Sequence, residues 1–373
     1  MKVLHVIIGL RVGGAEMMLL KLLGQMNRSD FEPVVATFLD GGACAEPLQK
    51  MGVPVHHLGM NHAWQAPRAM LRLRQLAREF EPDIIQGWMY HGNIAATIVA
   101  GQMRARPDLY WNIRHSLADP SQEKFLTRRL IELGGRWSER PRKVVHNSTV
   151  SIGQHAEVGF CPDNAVMIPN GFDLDKFSPS AAARRKTRLD LGVPPETFLV
   201  GNLGRYHPVK AQGDFIEAAA LFGEKNPEIH FLLAGADITA ENPVLQKAVL
   251  SSGVSERIHL LGPQDDPAAF LAALDIYCLS SHGEGFPNVL GEAMACGVPC
   301  VTTDVGEAKE IVIPWGEVAP PADPVSLAAA MESLFGRMSQ EGERLGHACR
   351  VSIGDRYDLA QIADLYTAMY NGQ

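Results

Sequence analysis

The sequence predicts an α/β protein made of two doubly wound parallel-sheet domains. Three observations predict it. Short apolar runs alternate with longer amphipathic stretches along the whole chain, the pattern of strands joined by crossover helices. A length of 373 residues exceeds what one ordinary core serves. The turn-rich segment Ile168-Pro-Asn-Gly-Phe-Asp173 then divides the alternation into two halves of similar make-up.

In the first half, candidate strands fall at 2–8, 33–38, 54–58, 83–87, 109–113, 143–146 and 165–168. Amphipathic segments such as Ala15–Met26 and Arg68–Phe80 lie between them. In the second half, strands are expected near 198–203, 229–234, 257–261, 275–279 and 299–302, again alternating with helices. The last segment, Asp358–Tyr370, spaces Leu359, Ile362, Leu365 and Met369 for one apolar helix face, so it is expected to pack back on the first domain. The expected domains are therefore 1–170 with a C-terminal helix from about 355 to 373, and 171–354.

Apolar content of 46% and charged content of 20% fit a soluble globular chain. The apolar N-terminus is short, carries His5 and runs straight into a glycine turn, so it reads as a strand and not as a signal peptide. No run of 18 apolar residues is present, which predicts no membrane-spanning helix. The six cysteines are scattered without a CxxC pair, as expected of reduced thiols in a cytoplasmic protein. Charge is uneven. Residues 1–170 hold 19 Lys and Arg against 15 Asp and Glu, while the remainder holds 15 against 27. In the positive half, basic residues cluster at Lys124, Arg128, Arg129, Arg136, Arg140, Arg142 and Lys143, and at Arg68, Arg72, Arg74 and Arg78, interleaved with Leu, Phe, Trp and Met. Such sets serve either as solvated helix faces or as a docking face for an anionic leaflet. No aromatic stacking module for nucleic acid is evident.

Open α/β sheets bind ligands beyond their strand C-termini, and the informative motifs all follow expected strands. Residues 282–300 read His-Gly-Glu-Gly-Phe-Pro-Asn-Val-Leu-Gly-Glu-Ala-Met-Ala-Cys-Gly-Val-Pro-Cys. Glycines around Glu284 allow close backbone approach, Pro287 suits the first turn of a helix, and Gly297 with Pro299 ends it. A helix start offers amides to an anion, while Glu284 in the loop and Glu292 on the helix offer acceptors to hydroxyls. That combination suits a sugar nucleotide, with Glu292 on the ribose. A solvated helix face for Glu292 and a dipole-favoured carboxylate for Glu284 are the plainer readings. Gly291 inside this helix costs about 1 kcal/mol against alanine, which points to close approach by a neighbour or a ligand.

Lys210 follows Gly204 and Arg205 and opens an expected helix at 211–224, where a cation opposes the helix dipole. A lysine in water is one reading. A diphosphate clamped between Arg205 and Lys210 is the reading that residues 284–292 favour. Gly13 and Gly14, before an expected helix, serve either a tight turn or backbone approach to a phosphate or sugar; the G-x-G-x-x-G spacing is absent. His91 and His115 fall at strand ends facing the same edge. Asp173-Leu-Asp175 has a metal-binding DxD spacing but sits in the boundary segment, and Asp265-Asp266 reads as a helix cap, so no metal is expected.

With these motifs the chain resembles the retaining GT-B glycosyltransferases of family 4 over nearly its whole length. The resemblance is carried by Gly13-Gly-Ala-Glu16, Ile168-Pro-Asn-Gly171, Gly204-Arg205 with Lys210, Gly262-Pro-Gln-Asp-Asp266, the E-x7-E pair Glu284/Glu292 and Asp304-Val-Gly306. It implies two Rossmann-like domains facing a central cleft, the acceptor mainly in the first and the donor in the second. It implies Arg205 and Lys210 on the diphosphate, Glu284 on the donor sugar with the amides of Gly285, Phe286, Asn288 and Val289, and Gly262 to Gln264 around the base. His115 matches the family's histidine near the reacting sugar; His91 and Arg114 are further cleft residues. The implied donor is a UDP- or GDP-type sugar, with no other cofactor. The basic first half suggests as acceptor a lipid-linked glycan in surface polysaccharide assembly, at the inner face of the membrane; a soluble sugar or a small metabolite is the alternative. A sugar-nucleotide 2-epimerase and a non-catalytic sugar-nucleotide-binding subunit share this architecture.

Overall fold

The computed structural model describes every residue except 118, 119, 121 and 122. The chain divides into two compact units, Met1–Gly171 with Leu359–Gln373, and Phe172–Asp358.

Unit 1 is built on a seven-stranded sheet of β1 (Lys2–Ile7), β2 (Glu32–Thr37), β3 (Val55–His57), β4 (Ile84–Trp88), β5 (Asp108–Ile113), β6 (Lys143–His146) and β7 (Ala165–Met167). Its order is β3-β2-β1-β4-β5-β6-β7, with every pairing parallel. The strands are near-continuous apolar runs because helices cover both faces. One face is sealed by helices Gly14–Gln25 and Leu359–Tyr370, the other by Ala66–Phe80, Met89–Ala100 and Phe125–Trp137.

The C-terminal helix corrects one expectation. Leu359, Ile362 and Met369 are buried as the spacing predicts, but Leu365 is 47% exposed and Tyr366 takes the inward position. The hydroxyl of Tyr366 accepts a 2.7 Å bond from Asn112 Nδ2 at the end of β5, a polar anchor that an apolar count cannot register. The expected start near 355 also falls inside helix Glu343–Tyr357, which packs in unit 2.

Unit 2 is built on six strands: β8 (Phe198–Leu203), β9 (Ile229–Ala234), β10 (Ile258–Leu260), β11 (Ile276–Leu279), β12 (Cys300–Thr303) and β13 (Glu317–Ala319). All pairings are parallel, in the order β10-β9-β8-β11-β12-β13. The edge strand β13 was not expected; three residues carry too little periodicity to be read as a strand. Arg188, almost wholly buried, ties the sheet's other end together by donating to Asp275 Oδ2 at 2.7 Å and to the carbonyls of Thr197 and Ala273. All six cysteines are free thiols. Among the described residues no helix is long and apolar enough to cross a membrane.

The strand orders decide where each unit can hold a ligand. A doubly wound sheet opens a crevice where consecutive crossovers run in opposite directions. That point lies between β1 and β4 in unit 1 and between β8 and β11 in unit 2.

Candidate functional site

In unit 2 the two loops at the switch point are those after β8 and β11, and they carry Lys210 and Glu284. Lys210 Nζ donates to Glu284 Oε1 at 2.6 Å, and Ser281 Oγ donates to the same oxygen at 2.7 Å. The loops are stitched together beneath this pair. His282 N donates to Val209 O, Ser280 Oγ to Lys210 O, and Thr303 Oγ1, at the end of β12, to Ser281 O. His282 Nε2 meets Asp214 Oδ2 at 2.7 Å.

Lys210 does not open the helix directly. It closes a 3-10 turn, Pro208–Lys210, and the helix Gln212–Lys225 follows Ala211, whose φ of 48° makes the break. Arg205 is exposed, and its carbonyl accepts from Gln212 Nε2. The guanidinium makes no ion pair among the described residues.

Glycines set the loop approach. A Cβ on Gly306 would lie 2.4 Å from the carbonyl oxygens of Glu284 and Gly285, and Gly306 has φ 55°. Gly235, at φ 138°, would meet Gly204 O at 2.1 Å. It was not singled out in the sequence; its only signal is an isolated glycine directly after an apolar strand. Gly235 N in turn donates to Gly262 O, and Gln264 Nε2 bonds the carbonyls of Leu261, Gly262 and Pro263. The loops after β8, β9 and β10 thus lie against one another.

Helix Asn288–Ala295 starts one residue later than expected, with Pro287 as its N-cap. Asn288 and Val289 form its first turn, and Glu292, half-buried, lies one turn further on. The reason for Gly291 is a neighbour: a Cβ there would sit 2.1 Å from the Phe172 ring. Phe172 stacks on Phe286 with centroids 6.2 Å apart, and both meet the edge of Tyr357. This aromatic triad buries the side chain of Phe286 and seats Gly285 beside the helix start.

Asp173 Oδ1 accepts from the amides of Asp175 and Lys176, making this boundary pair a turn. Asp266 Oδ1 accepts from Ala269 N as the cap of helix Pro267–Ala272.

In unit 1, Gly13 is the extended N-cap of helix Gly14–Gln25. A Cβ on Gly13 would lie 2.4 Å from Glu16 Oε2, so a glycine here leaves room for that carboxylate; nothing lies within 4 Å of a Cβ on Gly14. Burial pushes the Glu16 carboxyl above its usual range. His91 lies half-buried in the first turn of helix Met89–Ala100, and burial lowers its pKa.

Arg114 is held inside unit 1. Its guanidinium donates to Asn112 Oδ1 at 2.8 Å, Asn170 Oδ1 at 2.7 Å, Ile168 O at 3.0 Å and the Tyr366 hydroxyl. This ties the boundary segment and the C-terminal helix to the end of β5.

His115 follows β5, with Nε2 2.8 Å from Glu123 Oε1 and the ring edge-on to Tyr90. Glu123 is a partner that the sequence did not reveal, since a carboxylate eight residues away matches no periodic spacing.

Two doubly wound parallel sheets, each with polar loops at its switch point, define the chain as a protein of the GT-B glycosyltransferase architecture. Anabaena HepE, solved in complex with UDP, superposes with a TM-score of 0.86 at 25% identity, covering all of both chains. Residues 12–176 match the Glycosyltransferase Family 4 model and residues 195–337 the Glycosyl transferases group 1 model. The chain belongs to the group 1, family 4 glycosyltransferases. It is 32% identical over 251 residues to the UDP-Gal:alpha-D-GlcNAc-diphosphoundecaprenol alpha-1,3-galactosyltransferase of Escherichia coli, covering 64% of this chain and 62% of that protein. It is 30% identical over 145 residues to the glycosyltransferase EpsF of Bacillus subtilis, covering 37% and 35%. The chain thus spans less than two thirds of the length of these two curated relatives.

Proposed function

We propose that the protein is a retaining glycosyltransferase that moves a hexosyl or N-acetylhexosaminyl group from a UDP- or GDP-type sugar to a hydroxyl of a lipid-linked glycan. The observation that carries the donor half is the Lys210–Glu284 pair, set in the loops after β8 and β11 at the switch point of unit 2. A lysine on a carboxylate is a site where an arriving diphosphate can take over the ammonium and free the carboxylate for hydroxyls.

In this reading Arg205 and Lys210 neutralise the diphosphate as it leaves. Glu284, with the amides of Gly285, Phe286, Asn288 and Val289, holds the sugar, and Glu292 holds the ribose. Gly262 and Gln264 border the base. Gly13 and Gly14 approach the donor, and His115, oriented by Glu123, meets the reacting sugar. The bond from the anomeric carbon to the diphosphate oxygen breaks, and the acceptor oxygen bonds to the same face. The acceptor proton passes to the departing diphosphate oxygen. The UDP and UDP-glucose bound in the HepE structures and the acceptor named for the Escherichia coli relative support a UDP sugar and a polyisoprenyl-diphosphate glycan.

For the acceptor half, the proposal is that unit 1 docks on the inner leaflet of the membrane. Phe125 and Leu126 are 66% and 59% exposed at the start of helix Phe125–Trp137, between the exposed cations Lys124 and Arg128. An apolar wedge ringed by cations suits an anionic surface.

The test is nucleotide release from UDP-glucose, UDP-galactose, UDP-N-acetylglucosamine and GDP-mannose, with and without bacterial lipid extract. One donor should be consumed, with lipid-dependent release and retained anomeric configuration in the product. Absence of binding and turnover for all four removes the reading.

A further inference from the structure

One helix face in unit 1 bonds the loop that carries His115. Helix Thr149–Glu157 is capped by Ser148, whose Oγ accepts from Ser151 N at 2.9 Å. Ser151, Gln154 and His155 are spaced i, i+3 and i+4, so they share one side of the helix. All three reach the residues following β5 or the tyrosine against them. Ser151 Oγ donates to His115 O at 2.9 Å. Gln154 Oε1 accepts twice, from Ser116 Oγ and from Leu117 N, both at 2.8 Å. His155 Nε2 lies 2.9 Å from the Tyr90 hydroxyl, and Tyr90 presents its ring to the edge of His115, centroids 6.1 Å apart.

The proton placement in this network follows from its acceptors. His155 Nδ1 lies 2.7 Å from Ser151 O, a carbonyl, so Nδ1 carries the hydrogen and Nε2 accepts from Tyr90. Ser151 Oγ has one hydrogen, directed to His115 O, so His146 Nδ1, 3.0 Å away, donates to Ser151 Oγ. The His155 ring is neutral in this arrangement, and burial favours the neutral form of both rings by lowering their pKa values, to about 3 for His146 and about 4 for His155. The stretch from the His115 carbonyl to the Leu117 amide is therefore held by buried or half-buried groups.

We propose that the Ser151–Gln154–His155 face is the positioning element for His115, fixing its backbone and, through Tyr90, the flank of its ring. The consequence for catalysis rests on the proposed role of His115; the positioning itself does not. A catalytic group displaced by about 1 Å loses up to about a hundredfold in rate.

Gln154 gives a clean probe because, among the described residues, it bonds through its acceptor oxygen alone. Gln154→Leu removes the acceptor at similar size, and Gln154→Glu keeps it. Ser116→Ala removes one of the two bonds from the opposite side and stands in should Gln154→Leu fail to fold. The 373-residue chain, labelled with ¹³C-histidine, is examined by NMR, with the His115 ring signal assigned from its loss in His115→Ala.

The signal is expected to shift or broaden in Gln154→Leu and Ser116→Ala and to stay in place in Gln154→Glu. Turnover of the donor identified by the panel is measured in parallel. A kcat loss of about tenfold or more with donor KM within about twofold is expected for Gln154→Leu. It should be restored by Gln154→Glu and absent when Gln154→Leu is added to His115→Ala. A His115 signal unmoved by both Gln154→Leu and Ser116→Ala overturns the positioning role. A moved signal with unchanged kcat upholds positioning and removes the catalytic reading of His115 instead.

Discussion

The two units share one sheet plan but arm the loops beyond their strand ends with opposite chemistry. Unit 2 brings a lysine and a glutamate from loops 74 residues apart into a 2.6 Å ion pair. Unit 1 sets a histidine on a network of neutral imidazoles, hydroxyls and amides. The difference is one of job. A charged pair in a half-open loop can exchange partners with an incoming anion, whereas a buried neutral network cannot and serves to hold geometry. Unit 2 is built to be re-paired on binding, and unit 1 to stay as it is.

The strongest way to break this contrast is to remove charge from unit 2. Lys210→Ala and Glu284→Ala should each lower turnover by about 10²–10³-fold or more, the scale of losing one transition-state contact to developing charge. The folded state, checked by circular dichroism, should persist, and turnover at the wild-type rate in either variant sinks the assignment.

Acid should instead find unit 1. His146 and His155 take up protons in the unfolded chain below about pH 6.5 but in the folded unit only near 3 and 4. As pH falls from 6.5 the unfolded state binds protons first, so stability drops by up to about 1.4 kcal/mol per pH unit for each ring, levelling off below the folded values. Urea unfolding between pH 7 and 5 should show this slope, and His146→Asn, which retains a donor near the Nδ1 position, should flatten it. Equal slopes in the two proteins would contradict the neutral-network account.

Packing gives a third, smaller handle. Gly291→Ala forces a methyl against the Phe172 ring and should cost about 1–3 kcal/mol of unit 2 stability. Thermal unfolding measures it, and an unchanged midpoint would mean the aromatic triad yields more readily than its stacking implies. Smallest is the membrane term. Lys124→Gln and Arg128→Gln should each weaken binding to phosphatidylserine vesicles by about 1 kcal/mol. Binding insensitive to both places the docking face elsewhere.

The fold was readable because buried parallel strands are apolar runs with clear ends; twelve of thirteen strands fall where the sequence puts them, and β13 escapes only through its length. Glycine positions and helix stops in 282–300 were readable too, since they answer to local backbone geometry. What could not be read was partnership. Nothing in the spacing says that Lys210 meets Glu284, that His115 meets Glu123 or that Gly291 makes room for Phe172. Each of these contacts joins segments whose proximity only the folded chain creates. Tyr366 escaped for a related reason: its ring is apolar enough to bury, but its hydroxyl decides which way the helix turns.

The return of helix Leu359–Tyr370 to unit 1 has a consequence for how the chain is made. Tyr366 bonds Asn112 and Arg114, Tyr370 bonds Gln86, and Tyr110 bonds Met369 O, so the first sheet's core lacks part of a wall until residues 359–370 have been made. Phe172–Asp358 is contiguous and has all its elements once residue 358 clears the ribosome. The half begun first is therefore the half completed last, and one face of its sheet stays partly uncovered until helix Leu359–Tyr370 emerges.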